Sequence, residues 1–189
     1  MSFTSIDICS HALVKLGANS ISSFQEETTE AHIAGQLYTV VLESLLASYP
    51  WRFALKQAKL ARLTDTPKAD YRYAYALPND CLRVLSAGHS ARGKGLAYRI
   101  VRKQLQTDSD QVILTYICRP IEADFPPFFT EALVAKLAAD FCLPLTESTA
   151  RTDYLRKLAA EAVQTARLVD SQQAVPQAFQ DFSLIEVRE

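Results

Sequence analysis

Gly88, Gly93 and Lys94 set a G-x-x-x-x-G-K spacing in the middle of the chain, the arrangement with which a phosphate-binding loop wraps backbone N–H groups and a lysine around a nucleotide. That chemistry requires a Ser or Thr next, to reach magnesium, and Gly95 stands there instead. It also requires a helix N-terminus behind the loop, whereas Leu96-Ala97-Tyr98-Arg99-Ile100-Val101 has the pattern of a strand. The spacing therefore predicts a basic hairpin loop over Gly88–Gly95, mobile in the free chain because three of its residues are glycine.

Other reactive residue types are scattered. His11, His32 and His89 are isolated from one another, and no Ser, Cys or acid is placed to mark a nucleophile or an acid–base pair. Cys9, Cys81, Cys118 and Cys142 are far apart in sequence, without C-x-x-C or H-x-x-x-H spacing, and read as small hydrophobes in a reducing compartment. Glu26, Glu27 and Glu30 suit the positive N-terminal end of the helix behind them. The sequence calls for no catalytic residue, no cofactor and no metal.

Charge carries more information. Residues 81–119 hold seven Lys/Arg against two Asp/Glu, residues 120–189 six against eleven, and residues 1–80 seven against eight. Arg83, Arg92, Lys94, Arg99, Arg102 and Lys103 fall between Cys81 and Thr107 without one acid. Arg92, Lys94, Arg99, Arg102 and Lys103 are the candidates for contact with phosphates or an acidic protein surface, and a solvated hairpin face is the alternative.

The elements that must position these residues follow from periodicity. A first helix over about 4–17 carries Ile6, Cys9, Leu13 and Leu16 and stops at Gly17; a second over about 29–49 carries Ile33, Leu37, Val40, Val41 and Leu45 until Pro50. Trp51, flanked by Tyr49 and Phe53, follows at once; Trp51 and Phe53 are expected to be buried anchors where the helix pair meets the rest of the fold. Arg52 to Leu63 is compatible with helix or strand. Strand candidates at Tyr71–Leu77, Cys81–Ala87, Leu96–Lys103 and Gln111–Cys118 predict an antiparallel β-meander over about 71–118. Helices over about 127–143 and 147–170 come next, the latter with a stripe of Leu155, Leu158, Ala159, Ala162, Val163, Ala166 and Val169.

The expected architecture is mainly α: a single domain over 1–170 with a four-helix core and the meander inserted between the helix pairs. An arm over 171–189 follows, its polar start leading to Phe179, Phe182, Leu184, Ile185 and Val187 without helical spacing. These five are candidates to grip a partner or a neighbouring copy; folding back onto the chain's own helices is the alternative. At 189 residues and net charge −1, with 49% hydrophobic residues, the chain suits one globular domain burying roughly 70% of its unfolded surface. It has no basic-then-apolar leader and no apolar run near the roughly 20 residues that cross a bilayer, and reads as cytosolic and without a membrane partner.

The layout resembles the head-to-tail connector (adaptor) proteins of tailed bacteriophages and gene transfer agents, the group that includes tail tubular protein A. The resemblance rests on Ala12-Leu13-Val14-Lys15-Leu16-Gly17, on Ile21-Ser22-Ser23-Phe24 with acids behind it, and on a helix carrying Ala34, Leu37-Tyr38 and Val41-Leu42. Tyr49-Pro50-Trp51-Arg52-Phe53-Ala54 closes that helix, and Tyr75-Ala76-Leu77-Pro78-Asn79-Asp80-Cys81-Leu82-Arg83-Val84 matches the family's Leu-Pro-x-Asp-x-Leu-Arg step into a strand. Tyr116-Ile117 ahead of two terminal helices also fits.

The resemblance implies a non-catalytic virion subunit, made in the host bacterial cytoplasm and placed at the head–tail junction. It implies a ring, twelve-fold when assembled, whose partners are its own copies, the portal protein, a tail-side protein and the packaged DNA in its lumen. Two other readings stay open on the residues alone: a DNA-binding protein using the basic 81–107 segment, and an enzyme of unassigned type.

Overall fold

The computed structural model describes residues 3–89 and 93–173. Four helices carry the larger core: α1 (Ser5–Lys15), α2 (Thr29–Ser48), α3 (Pro127–Thr146) and α4 (Thr149–Ser171). Their ends are written in local chemistry. Thr4 and Asp7 form a reciprocal capping box at the start of α1. At its end the Gly17 N–H reaches Val14 O and the Ala18 N–H reaches Leu13 O, with Gly17 at φ +69°. Thr28 and Ser148 cap α2 and α4 through their hydroxyls.

α3 is the floor on which α1, α2 and α4 pack. It is buried along Phe129, Leu133, Leu137, Ala138 and Phe141. It also runs past the expected stop before Pro144, as far as Thr146. Pro144 lies in the last turn, where its missing N–H leaves only one carbonyl without an amide, and Thr146 Oγ1 and the Glu147 N–H bond Cys142 O and Leu143 O to hold that turn.

Two faces differ from expectation. α2 turns Ala34, Tyr38, Leu42 and Leu46 inward and leaves Val40 exposed, and α4 buries Ala159 and Ala166 while Leu158 and Val169 are about two-fifths exposed. Val41 and Leu45 of the expected α2 stripe are buried as well.

The β-structure corrects the expected mainly-α fold with one meander. Two three-stranded antiparallel sheets are present, so the fold is mixed. The first has the order β1 (Leu55–Lys59), β6 (Ile113–Cys118), β3 (Cys81–Gly88); the second has β2 (Tyr73–Ala76), β5 (Gln104–Thr107), β4 (Arg99–Val101). The segment after Trp51 is a short 3₁₀ turn, Arg52–Ala54, leading into β1. Only β4 and β5 are sequence neighbours that also pair, as a two-residue hairpin closing at Val101 and Gln104.

β6 sits between two cores. Ile117 enters the helical core, while Leu114 and Tyr116 face a second cluster with Leu60, Tyr75 and Leu105 beneath the second sheet. The layers are therefore helices, first sheet, second sheet. Each large apolar side chain buried in them contributes about 1.5–3 kcal/mol.

Candidate functional site: a closed junction, a basic tip and an exposed helix face

The junction is built from the helix exit. Pro50 ends α2, and Trp51 turns its fully buried indole back so that Nε1 donates to Leu45 O at 3.0 Å, satisfying a carbonyl of the last turn together with Ser48 Oγ. Trp51 then lies edge-on to Tyr49 and Phe129, with ring centroids 5.0 and 5.1 Å away, and half-buried Phe53 sits 4.7 Å from Phe129. Such aromatic pairs add about 0.5–1.5 kcal/mol each beyond area burial.

Asp170 closes the same junction from the other end of the chain. Only 1% exposed, its carboxylate accepts the Arg52 N–H, the first free donor of the 3₁₀ turn. Burial raises its pKa, and the Arg52 hydrogen bond opposes that shift. Sequence spacing gave no sign of this pair.

The basic residues do not form one stripe. Arg83 donates to Ala47 O at 2.8 Å. Arg99 is tied to Asp70 at 2.8 Å and to Gln106 at 3.1 Å. Lys94 lies elsewhere, in a hollow of about 440 Å³ shared with Tyr49, Arg52, Leu85 and Asp170 beside the first sheet. Arg92 lies outside the described residues. Arg102 and Lys103 are the exposed tip of the β4–β5 hairpin, at φ 49° and 61°. Both central residues of that turn are left-handed, the backbone that a two-residue hairpin requires and that Asn-Gly ordinarily supplies.

The expected mobile loop over Gly88–Gly95 has its centre, residues 90–92, outside the described residues, and its described ends are held by backbone contacts. Ser86 Oγ donates to Gly93 O at 3.0 Å and the Leu96 N–H to Ala87 O at 3.1 Å. A Cβ on Gly88 would stand 2.3 Å from Lys94 N, so glycine is needed there for close approach of two backbone segments. No helix follows Gly95; the chain reaches β4 without regular structure, which removes the geometry of a phosphate loop.

A groove of about 670 Å³ runs between α2 and α4 over α3, lined by Ser48, Ala139, Ala159 and Val163 with the cations of Lys136, Arg156 and Arg167. Arg167 stacks over Tyr49 and donates to Ser48 Oγ at 3.1 Å, while its Nε is buried without a hydrogen-bond partner among the described residues. Beside the groove, α4 exposes Tyr154, Leu158 and Leu168 at helical spacing on one face.

No group of His, Cys, Asp and Glu able to hold a metal occurs among the described residues, and no described helix is long and apolar enough to cross a membrane. Phe179, Phe182, Leu184, Ile185 and Val187 lie outside the described residues, and α4 itself extends through Ser171, where the arm was expected to begin. Compared with known proteins, the chain matches no family model and no curated relative.

Proposed function

We propose that this chain is a structural head-to-tail connector (adaptor) subunit of a phage-like particle, assembling as a ring under the portal and joining the DNA-filled head to the tail. The observation that carries the reading is α4. This 23-residue helix packs on α3 and presents Tyr154, 62% exposed, Leu158 and Leu168, 63% exposed, in a row on its outer side. Tyr154 and Leu158 lie one turn apart, and Leu168 follows on the same face beyond exposed Glu161 and Thr165. Exposed apolar side chains on an outer helix face suit an interaction site, and a head-to-tail contact between copies gives a ring where its rotation closes. The sequence resemblance over residues 4–170 names the ring, the portal contact and the tail-side contact; the arm expected over 171–189, of which 174–189 lie outside the described residues, is assigned to the portal or to a neighbouring copy.

Mixing the chain with portal protein and imaging by negative stain tests the proposal. Ring-shaped density under the portal is expected for the natural chain. Leu158→Lys with Leu168→Lys should keep its helical circular dichroism and lose the ring. Absence of any portal association by the natural chain, or normal rings from the double variant, overturns the reading.

A second reading, binding of duplex DNA by the basic 81–107 segment, draws on the exposed Arg102–Lys103 tip. It is weakened by the engagement of Arg83 and Arg99 within the chain. Steep loss of DNA affinity with salt by the isolated chain would favour it.

A further inference from the structure

The strands bring together two cysteines that the sequence keeps apart. Cys81, the first residue of β3, is the direct antiparallel register partner of Cys118, the last residue of β6. Partners in such a ladder point to one face, and both side chains pack against the cluster between the two sheets. Both are thiols and only half-buried, whereas Cys9 and Cys142 are enclosed in the helical core.

We propose that Cys81 and Cys118 are a dithiol site that closes to an intramolecular disulfide when the chain meets a low-molecular-weight disulfide oxidant. Directly opposed residues hold their Cβ atoms about 4.5–5.5 Å apart, against about 3.5–4.5 Å in a disulfide, so closure needs only a small approach. The backbone can supply it, because the pair ends its ladder and a register shift lies between Cys81 and Arg83. The neighbouring Asp80 carboxylate is already bound to Lys56 at 2.7 Å and Tyr116 at 3.1 Å, leaving the thiols without a competing partner of their own among the described residues.

The step balances as two exchanges. The thiolate of one cysteine attacks a sulfur of the oxidant, forming a mixed disulfide and releasing one small thiol. The second cysteine, as thiolate, attacks the protein sulfur of that mixed disulfide and releases the other small thiol. Two protein thiols are oxidised and one small disulfide is reduced. Burial and the Asp80 charge raise both pKa values, so little thiolate is present near neutral pH and the exchange is slow there and faster as pH rises. The pair stands at the two ends of the segment that carries β3 to β6 and the Arg102–Lys103 hairpin, so closure bridges the base of that segment. The inference stands independently of the connector reading.

The test is exposure of the purified full chain to oxidised glutathione, followed by peptide mass mapping without reductant. The expected product joins the Cys81 and Cys118 peptides, two hydrogens lighter and free of glutathione, with Cys9 and Cys142 still alkylatable and a raised melting temperature that dithiothreitol reverses. Cys118→Ser should instead retain glutathione at Cys81. Stable glutathione adducts on both cysteines of the natural chain, a cross-link between copies or to another cysteine, or no loss of thiols overturns the proposal. Mapping of the natural chain decides the matter even where the variant does not fold.

Discussion

Asp170, near the end of α4, accepts the backbone N–H of Arg52 with both carboxylate oxygens, at 3.1 and 3.2 Å, and so caps a turn 118 residues earlier in the chain. The hydrogen bond favours the charged form, yet burial outweighs it and the pKa is raised from 3.8. The folded chain therefore holds this proton more tightly than the unfolded chain. The associated stability is complete below 3.8 and is lost as pH rises through the elevated folded value.

Asp170→Asn keeps an oxygen acceptor for Arg52 and removes the charge. Measured by urea unfolding at a series of pH values, the natural chain should lose stability relative to this variant as pH rises from 3.8 toward neutrality. A difference that stays constant with pH would refute the assignment. Asp170→Ala, which orphans the Arg52 N–H, should cost about 1–3 kcal/mol.

Trp51→Ala should cost about 3–5 kcal/mol in unfolding followed by circular dichroism, since the cavity would open between Tyr49, Phe53 and Phe129. Trp51→Phe should cost less, because Ser48 Oγ continues to satisfy Leu45 O at 2.7 Å. Unchanged melting of the alanine variant would remove Trp51 from its role as anchor.

Two glycines should respond to alanine for different reasons. At Gly88 the added carbon meets the Lys94 backbone at 2.3 Å, and a cost of about 1–3 kcal/mol from overpacking is expected. At Gly17 nothing lies within 4 Å, and only the φ of +69° is opposed, for about 1–2 kcal/mol. Crystal structures of the variants should show a displaced 93–95 segment in the first and an unmoved backbone in the second.

Replacing Arg102-Lys103 with Asn-Gly should raise the melting temperature, because both positions are left-handed and the substitution relieves about 1–2 kcal/mol per residue at most. The same variant tests function independently. A more stable chain that no longer retains DNA in assembled particles would assign the two cations to nucleic acid, and one that assembles and retains DNA normally would make the tip a solvated turn.

The helices were legible because their ends carry chemistry visible in sequence: Gly17, Pro50, and Pro127 at the first turn of α3. Pro144 does not end α3 because a proline within the last turn removes a single backbone hydrogen bond, so the helix runs on to Thr146. β1 was illegible as a strand since Leu55-Lys56-Gln57-Ala58-Lys59 is exposed at nearly every position and shows no alternation. The β4–β5 hairpin hid for another reason: Arg102-Lys103 has none of the residues that announce a turn, so Leu96–Lys103 read as one strand. At the site, the aromatic junction followed from a lone Trp behind a proline, whereas Asp170 with Arg52 and Cys81 with Cys118 join positions that only the tertiary fold brings together.

α3 as a shared floor has a consequence for the timing of synthesis. α1 and α2 emerge first, yet the surface that receives Leu13 and Leu42 is made only when residues 127–146 arrive, after both sheets have been translated. The nascent chain thus carries two greasy helices through the whole β-region before they can settle, a high-contact-order route that folds slowly and rewards helper proteins at the ribosome. A chain truncated ahead of Pro127 should accordingly be recovered as aggregate or bound to such helpers, never as a free half-domain.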